Sequence, residues 1–295
     1  MRILETVVSR FPIEKGWSGD RKYCAVTAAG DKYLLRISPM ERMERKSKEF
    51  ERMQQVTELD VPMCRSVEFG ICDDGVYSLQ SWIEGTDAED FIMPLSPRQQ
   101  YAYGLDAGRI LAKIHQIPAP AGIPLWETRF NQKIDRKIQM YSDCPLKYDN
   151  GDCFLNYLAS NSCLLHGRPQ TYQHGDYHIG NMMIDREGKL VIIDFDRDDY
   201  GDPWEEFNRI VWCAQAAPAF ASGMEAGYFD GEIPLDFWRL LALYICSNTL
   251  SSLPWAVPYG EKQIQIMRKQ AEMILQWYNG MERVIPSWYV NQYNP

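Results

Sequence analysis

The sequence predicts a two-lobed α+β fold: a small antiparallel β lobe carrying one helix, then a larger, mainly helical lobe. Three observations point there. Residues 1–83 are dominated by apolar and polar residues alternating with a period of two, interrupted by one charged amphipathic stretch. After Gly85 the apolar spacing becomes that of helices. One later return to strand-like sequence, at 182–193, directly follows a polar loop rich in His, Gly, Asp and Asn.

At 295 residues the chain has the length of one large domain or two lobes, and a boundary at 83/84 divides it into 1–83 and 84–295. Hydrophobic residues at 45% and charged residues at 24% are ordinary for a globular enzyme. No uninterrupted apolar run of about 18 residues could span a bilayer, and the first residues are not a long apolar segment, so a cytoplasmic protein without a membrane partner is expected. The eight cysteines include no C-x-x-C pair and read as reduced, mostly packed thiols. A net charge of −9 disfavours nucleic acid and favours neutral or cationic ligands.

Along the chain, 23–27 and 32–37 form a hairpin around Gly30-Asp31. Residues 39–57 contain no Gly and no internal Pro. Met43, Phe50, Met53 and Val56 recur among charges at roughly helical spacing, so one amphipathic helix is expected. Strands follow at 66–70 and 76–80 around Asp73-Asp74-Gly75, and 81–86 connects the lobes. The second lobe opens with a helix at 98–116, stopped by Pro118 and Pro120. Further helices are predicted at 153–165, 204–216, 235–251 and 261–278.

The densest chemistry lies in His174-Gly175-Asp176-Tyr177-His178-Ile179-Gly180-Asn181, followed by a short hairpin whose second strand ends Ile193-Asp194-Phe195-Asp196. Such a hairpin brings Asn181 and Asp194 close in space. Phosphoryl transfer needs an oriented hydroxyl, metal held against the phosphates, and neutralisation of spreading charge. Two carboxylates and an amide oxygen meet that need. Any one of these residues would equally suit a turn; the ordered set is more specific.

On these residues the sequence resembles the aminoglycoside phosphotransferase and choline kinase family, marked by H-G-D-x-x-x-x-N and a following I-D-F/L segment. The resemblance implies a protein-kinase-like fold whose first lobe binds nucleotide, with ATP or GTP and Mg²⁺ as cofactors. It implies Asp176 as the catalytic base or hydroxyl-orienting group, and Asn181 and Asp194 as metal ligands. Ser18, within Gly16-Trp17-Ser18-Gly19-Asp20, stands where the nucleotide loop falls; its glycines and serine suit backbone contact with phosphate, as they would a plain turn. Arg36 stands where the family has a phosphate-binding lysine, a departure that changes the geometry of the contact. Lys32, on the same strand face, is the fallback, and Glu49 on the helix is the expected partner of Arg36. Ser81, Trp82 and Ile83 correspond to the hinge that meets the base through backbone groups. Asp198 and Asp199 face either the acceptor or solvent, and Asp202 and Glu206 brace the next helix.

The expected reaction is O-phosphorylation of a small hydroxylated, cationic acceptor, foremost an aminoglycoside-type antibiotic. A metabolic kinase for choline, homoserine or a sugar derivative is the alternative. A non-catalytic nucleotide-binding protein of the same fold is a third reading, motivated by Arg36.

Overall fold

The computed structural model describes residues 2–16 and 19–291. The elements in chain order are β1 (Val7–Pro12), β2 (Arg21–Thr27), β3 (Lys32–Ser38), α1 (Met43–Thr57), β4 (Ser66–Cys72), β5 (Gly75–Ser81), β6 (Gly85–Asp87), α2 (Ala88–Ile92), α3 (Pro97–Ile114), α4 (Trp126–Asp143), α5 (Asp152–Asn161), β7 (Thr171–Gln173), β8 (Met182–Asp185), β9 (Leu190–Ile192), β10 (Asp199–Gly201), α6 (Ile210–Ala216), α7 (Pro218–Phe229), α8 (Leu235–Ala256) and α9 (Glu261–Trp277). They form two units. The first comprises Met1–Phe91, His174–Asp176 and Gly180–Asp198; the second comprises Ile92–Gln173, Tyr177–Ile179 and Asp199–Pro295.

In the first unit a five-stranded antiparallel sheet runs β1-β2-β3-β5-β4. Period-two alternation gives β3 two different faces. Leu35 and Ile37 join Ala25, Tyr77 and Leu79 in a buried cluster against which Ile3 and Leu4 pack. Leu34, Arg36 and Ser38 point the other way, toward the side on which α1 packs, where Met53 accepts a hydrogen bond from Gln80. Charged Arg36 is thus carried into the interior by the strand register. A second antiparallel sheet, β6-β8-β9, holds the predicted late hairpin, and Cys64 and Pro62 bond to Ile192 at its edge.

The structure departs from the predicted elements at β1 and at the start of α1. β1 has no predicted counterpart because it is an edge strand: Val7 packs against the core cluster, but Val8 and Phe11 are exposed, so too few of its apolar residues turn inward to set a period. α1 begins at Met43 because Pro39 precedes a short 3₁₀ turn, Met40–Arg42.

The second unit is mainly helical. Pro97 at the first position of α3 and the Ser96 N–H bonded to Gln99 Oε1 at 3.2 Å fix where that helix starts. α3 packs on α7 with backbones nearly touching: a Cβ on Gly104 would lie 2.1 Å from the Phe220 carbonyl oxygen, and one on Gly223 would lie 2.2 Å from that of Tyr101. α8 is long and apolar enough to cross a membrane by length and composition, yet most of it is buried as the core helix of this unit. α4 and α7 lack predicted counterparts. In α4, Trp126, Phe130 and Ile134 keep helical spacing but are outnumbered by polar residues. α7 is buried nearly all round and built from small residues, so it has almost no polar face to create a period.

Glu225 in α7 is fully buried, and neither carboxylate oxygen has a hydrogen-bond partner among the described residues. Burial pushes this carboxyl well above the ordinary glutamate range. A carboxyl raised in this way holds its proton more tightly in the folded chain than in the unfolded one. Its contribution to stability is therefore fully present below the unfolded pKa and is lost as pH rises toward the folded value, by at most about 1.4 kcal/mol per pH unit. Glu225→Gln should raise Tm at pH 8 by several degrees more than at pH 5. Equal Tm shifts at the two pH values would show that Glu225 does not carry this dependence.

Candidate active site

The chemistry-bearing residues converge within the first unit. His174 is fully buried, with its ring 4.5 Å from that of Phe195. Its Nε2–H donates to the Ile193 carbonyl at 3.0 Å, and its Nδ1 accepts the Asp176 backbone N–H at 3.3 Å. One imidazole therefore ties the Asp176 loop to the strand end bearing Asp194. The Asn181 amide donates to the Asp176 carbonyl at 2.9 Å, while the Ile193 N–H donates to the Asn181 carbonyl at 3.0 Å. Arg197 lies 3.5 Å from the Asp176 carboxylate. Asp176, Asn181 and Asp194 are thus brought together as the motif implies.

Two backbone features explain the residue types. Gly175 has φ +84°, and a Cβ there would lie 1.9 Å from the Arg197 carbonyl oxygen, so both conformation and space require glycine. Asp194 has φ +68°, a left-handed conformation that Asp and Asn tolerate better than most side chains. Burial alone would raise the Asp194 carboxyl. The Arg36 charge and hydrogen bond, with smaller help from Lys22 and His174, outweigh burial and lower it.

Asp194 and Asn181 offer hard oxygen donors. Mg²⁺ commonly takes one or two carboxylates and fills its remaining positions with phosphate and water. The pair suits that ion even though no cluster of three or more His, Cys, Asp or Glu ligands occurs among the described residues. The Asn181 amide nitrogen is engaged with Asp176, which makes its amide oxygen the candidate donor atom.

Arg36, with a side chain only 2% exposed, is surrounded by three carboxylates: Asp194 at 2.6 Å, Asp196 at 2.8 Å and Asp20 at 3.1 Å. The expected Arg36–Glu49 pair is replaced. Glu49 binds Lys46 at 2.9 Å, and Lys46 binds Asp20 at 2.8 Å, so a lysine of the same helix and an aspartate stand between Glu49 and Arg36. Burial raises the Glu49 carboxyl despite Lys46 and Arg36. Lys32 is half-exposed and pairs with Glu84 at 2.6 Å, away from this network.

Ser18 lies outside the described residues. The Ser81 N–H donates to the Arg65 carbonyl at 2.8 Å, so it is already engaged; Trp82 and Ile83 follow the strand end with half-buried side chains. Asp198 is nearly buried and held by one edge of the Arg52 guanidinium, through Nε and Nη2, with an Nη2–Oδ1 distance of 2.8 Å. In the second unit, Asp199 is 60% exposed and 3.2 Å from Arg129, which also donates to the Tyr200 carbonyl. There too, Asp202 binds Arg168 at 2.6 Å and Glu205 binds Lys133 at 2.9 Å. Glu206 is buried beside His115 at 3.8 Å. A groove of about 830 Å³ in this unit, lined in part by Tyr148, Arg268 and Leu275, includes none of these residues.

Sequence reasoning missed Asp20, Lys46 and Asp196. Asp196 had a usable signal, two residues past Asp194 in the same strand extension. Asp20 had one as well, since an acid directly following Gly19 and just before β2 is available to a cation on the adjoining strand.

Residues 11–241 match the model of the phosphotransferase enzyme family. No curated protein matches the sequence. Among solved structures, the GDP complex of a mutant aminoglycoside 2'-phosphotransferase-IIIa superimposes with TM-score 0.69 at 17% identity, covering 93% of this chain and 94% of that one. A choline/ethanolamine kinase family protein from Mesorhizobium loti gives TM-score 0.67 at 15% identity, covering 96% and 94%. A ternary complex of an aminoglycoside phosphotransferase APH(4)-Ia mutant with ADP and hygromycin B gives 0.64 at 16%, covering 93% and 96%. At such identities the likeness establishes the protein-kinase-like fold.

Gly175→Ala should lower stability by about 1–3 kcal/mol, the range for a strained backbone site, and should abolish turnover because the loop must shift to admit the methyl group. Urea unfolding together with a turnover assay checks this; a variant with parental stability and rate would mean that the contact between Gly175 and Arg197 is not tight in solution.

Proposed function

The chain belongs to the phosphotransferase enzyme family, and from that premise we propose that it is a small-molecule kinase that uses Mg²⁺ and ATP or GTP to phosphorylate a hydroxyl of its acceptor. The observation that carries this reading is the hydrogen-bonded set Asp176, Asn181 and Asp194, cross-linked through His174 and Ile193. In this reaction the acceptor oxygen forms a bond to the γ-phosphorus. The bond between that phosphorus and the β–γ bridging oxygen breaks, and the nucleoside diphosphate leaves. Asp176 accepts or orients the departing hydroxyl proton. Asp194 and Asn181 would hold Mg²⁺, which when bound supplies charge neutralisation across the phosphates. Arg36 contributes a guanidinium fork suited to bidentate phosphate contact.

For the acceptor, an aminoglycoside-type antibiotic is supported by the net charge of −9 and by a fold shared with aminoglycoside phosphotransferases. One observation favours the metabolic alternative, a smaller choline, homoserine or sugar-derived alcohol. Asp198 and Asp199, the acids expected to meet a polycation, are each paired with an arginine, Arg52 and Arg129. A coupled assay with Mg·ATP or Mg·GTP and a panel of aminoglycosides, amino alcohols, hydroxy amino acids and sugars decides between them. Phosphorylation confined to the small alcohols would rule out the antibiotic reading, and no phosphorylation of any hydroxyl would count against the kinase reaction itself.

Asp176→Asn should cut kcat by about 10²–10⁴-fold, the range of general acid–base catalysis, while nucleotide affinity stays near parental. Unchanged turnover would remove Asp176 from the mechanism. Asp194→Ala should abolish the Mg²⁺-dependent part of nucleotide binding measured by titration calorimetry; equal Mg·nucleotide affinity in variant and parent would exclude Asp194 as a ligand.

A further inference from the structure

Arg36 is a long side chain that must present its fork in one direction to be useful, and its own strand does not fix that direction. Asp20 does. Its Oδ2 accepts from Arg36 Nε at 3.2 Å and lies 3.1 Å from Nη2, gripping one edge of the guanidinium. Nη1 and Nη2 also reach forward to Asp194 and Asp196. Asp20 is itself anchored: Ser38 Oγ donates to Oδ1 at 2.6 Å, Lys46 Nζ donates to Oδ2 at 2.8 Å, and Arg42 lies 3.5 Å away. The Asp20 side chain is 1% exposed. Burial would raise its carboxyl, but Arg36 first, then Lys46 and Ser38, hold it down to about 2.

We propose that Asp20 is the positioning residue for Arg36, aiming its guanidinium at the nucleotide phosphates in place of a direct contact from Glu49 of α1. This rests on the reading of Arg36 as a phosphate-binding side chain. The arrangement assigns the two edges of the guanidinium different roles. The edge on Asp20 stays engaged, and the edge on Asp194 and Asp196 is the one that exchanges carboxylate for phosphate when nucleotide binds. Helix α1 contributes at one remove, since Glu49 fixes Lys46 and Lys46 fixes Asp20.

The test is a double-mutant cycle read by calorimetric titration with Mg·ADP, alongside KM and kcat for Mg·ATP with whichever acceptor is found. Asp20→Asn should weaken Mg·ADP binding and raise the nucleotide KM by about tenfold, with a smaller change in kcat. In an Arg36→Ala background the same substitution should cause no further loss, because Asp20 acts through the arginine. Equal losses in both backgrounds would assign Asp20 a merely structural role and overturn the proposal, as would parental affinity in Asp20→Asn. Should Asp20→Asn fail to fold, Ser38→Ala serves in the same cycle. It removes one of the hydrogen bonds anchoring Asp20 and none made by Arg36, so a loss seen only when Arg36 is present supports the proposal, and any other pattern overturns it. If Arg36→Ala alone binds Mg·ADP with parental affinity, Arg36 leaves nucleotide binding and Asp20 with it. Phosphoryl transfer itself remains separately tested by Asp176→Asn.

Discussion

A guanidinium held in the interior has to be matched by carboxylates, and the arrangement of the first unit follows from that requirement. Strand register carries Arg36 inward with a side chain 2% exposed, and the cost of stripping water from such an ion, several kcal/mol, is recovered only through close, well-directed partners. Those partners come from separate parts of the sequence: Asp20 from the loop before β2, and Asp194 and Asp196 from the end of the late hairpin. Three carboxylates around one arginine would leave excess negative charge. Lys46 brings in a second cation on Asp20, and Glu49 balances Lys46 in turn. The charges alternate from helix α1 to the candidate metal ligand, so displacing any one exposes its neighbour. The same interaction explains why the Asp194 carboxyl is lowered in a place where burial alone would raise it.

The candidate catalytic loop is governed by backbone constraint more than by charge. Gly175 exists to let the Arg197 carbonyl approach, and His174 exists to bond two backbone groups at once. Neither touches a reacting atom in the proposed chemistry. Both fix the distance between the Asp176 loop and the strand end bearing Asp194. A short motif can therefore be specific: several of its positions are dictated by packing, and the others by chemistry that this packing makes possible.

What the sequence makes legible divides along the same line. The late hairpin, the β3 strand and the motif residues are readable because local period and residue type both point to them, and the structure joins Asp176, Asn181 and Asp194 as that reading implies. The partner of Arg36 is not readable in this way. Glu49 has the expected helix position, but whether a glutamate reaches an arginine depends on what stands between them, and Lys46 is only three residues away on the same helix. Helix α7 escapes notice for a different reason. A segment buried on nearly every side, with Gly223 meeting another helix backbone, has no amphipathic period to detect. Charged α4 hides its apolar positions among polar ones.

Net charge is the least transferable of these signals. At −9 the chain invites a cationic ligand, yet long-range charge governs approach, while affinity is set by charges left uncompensated at the contact. Along the acid-rich segment from Asp194 to Glu205 most of the acids have a basic neighbour: Arg36 for Asp194 and Asp196, Arg52 for Asp198, Arg129 for Asp199, Arg168 for Asp202 and Lys133 for Glu205. A polycation arriving there would have to displace protein cations rather than fill an empty acidic surface. Each displacement costs an existing ion pair, a large loss where that pair is buried, as for Asp198 and Asp202, and a small one where it is exposed, as for Asp199. On that physical ground a negative net charge is a weak argument for a polycationic ligand at this segment.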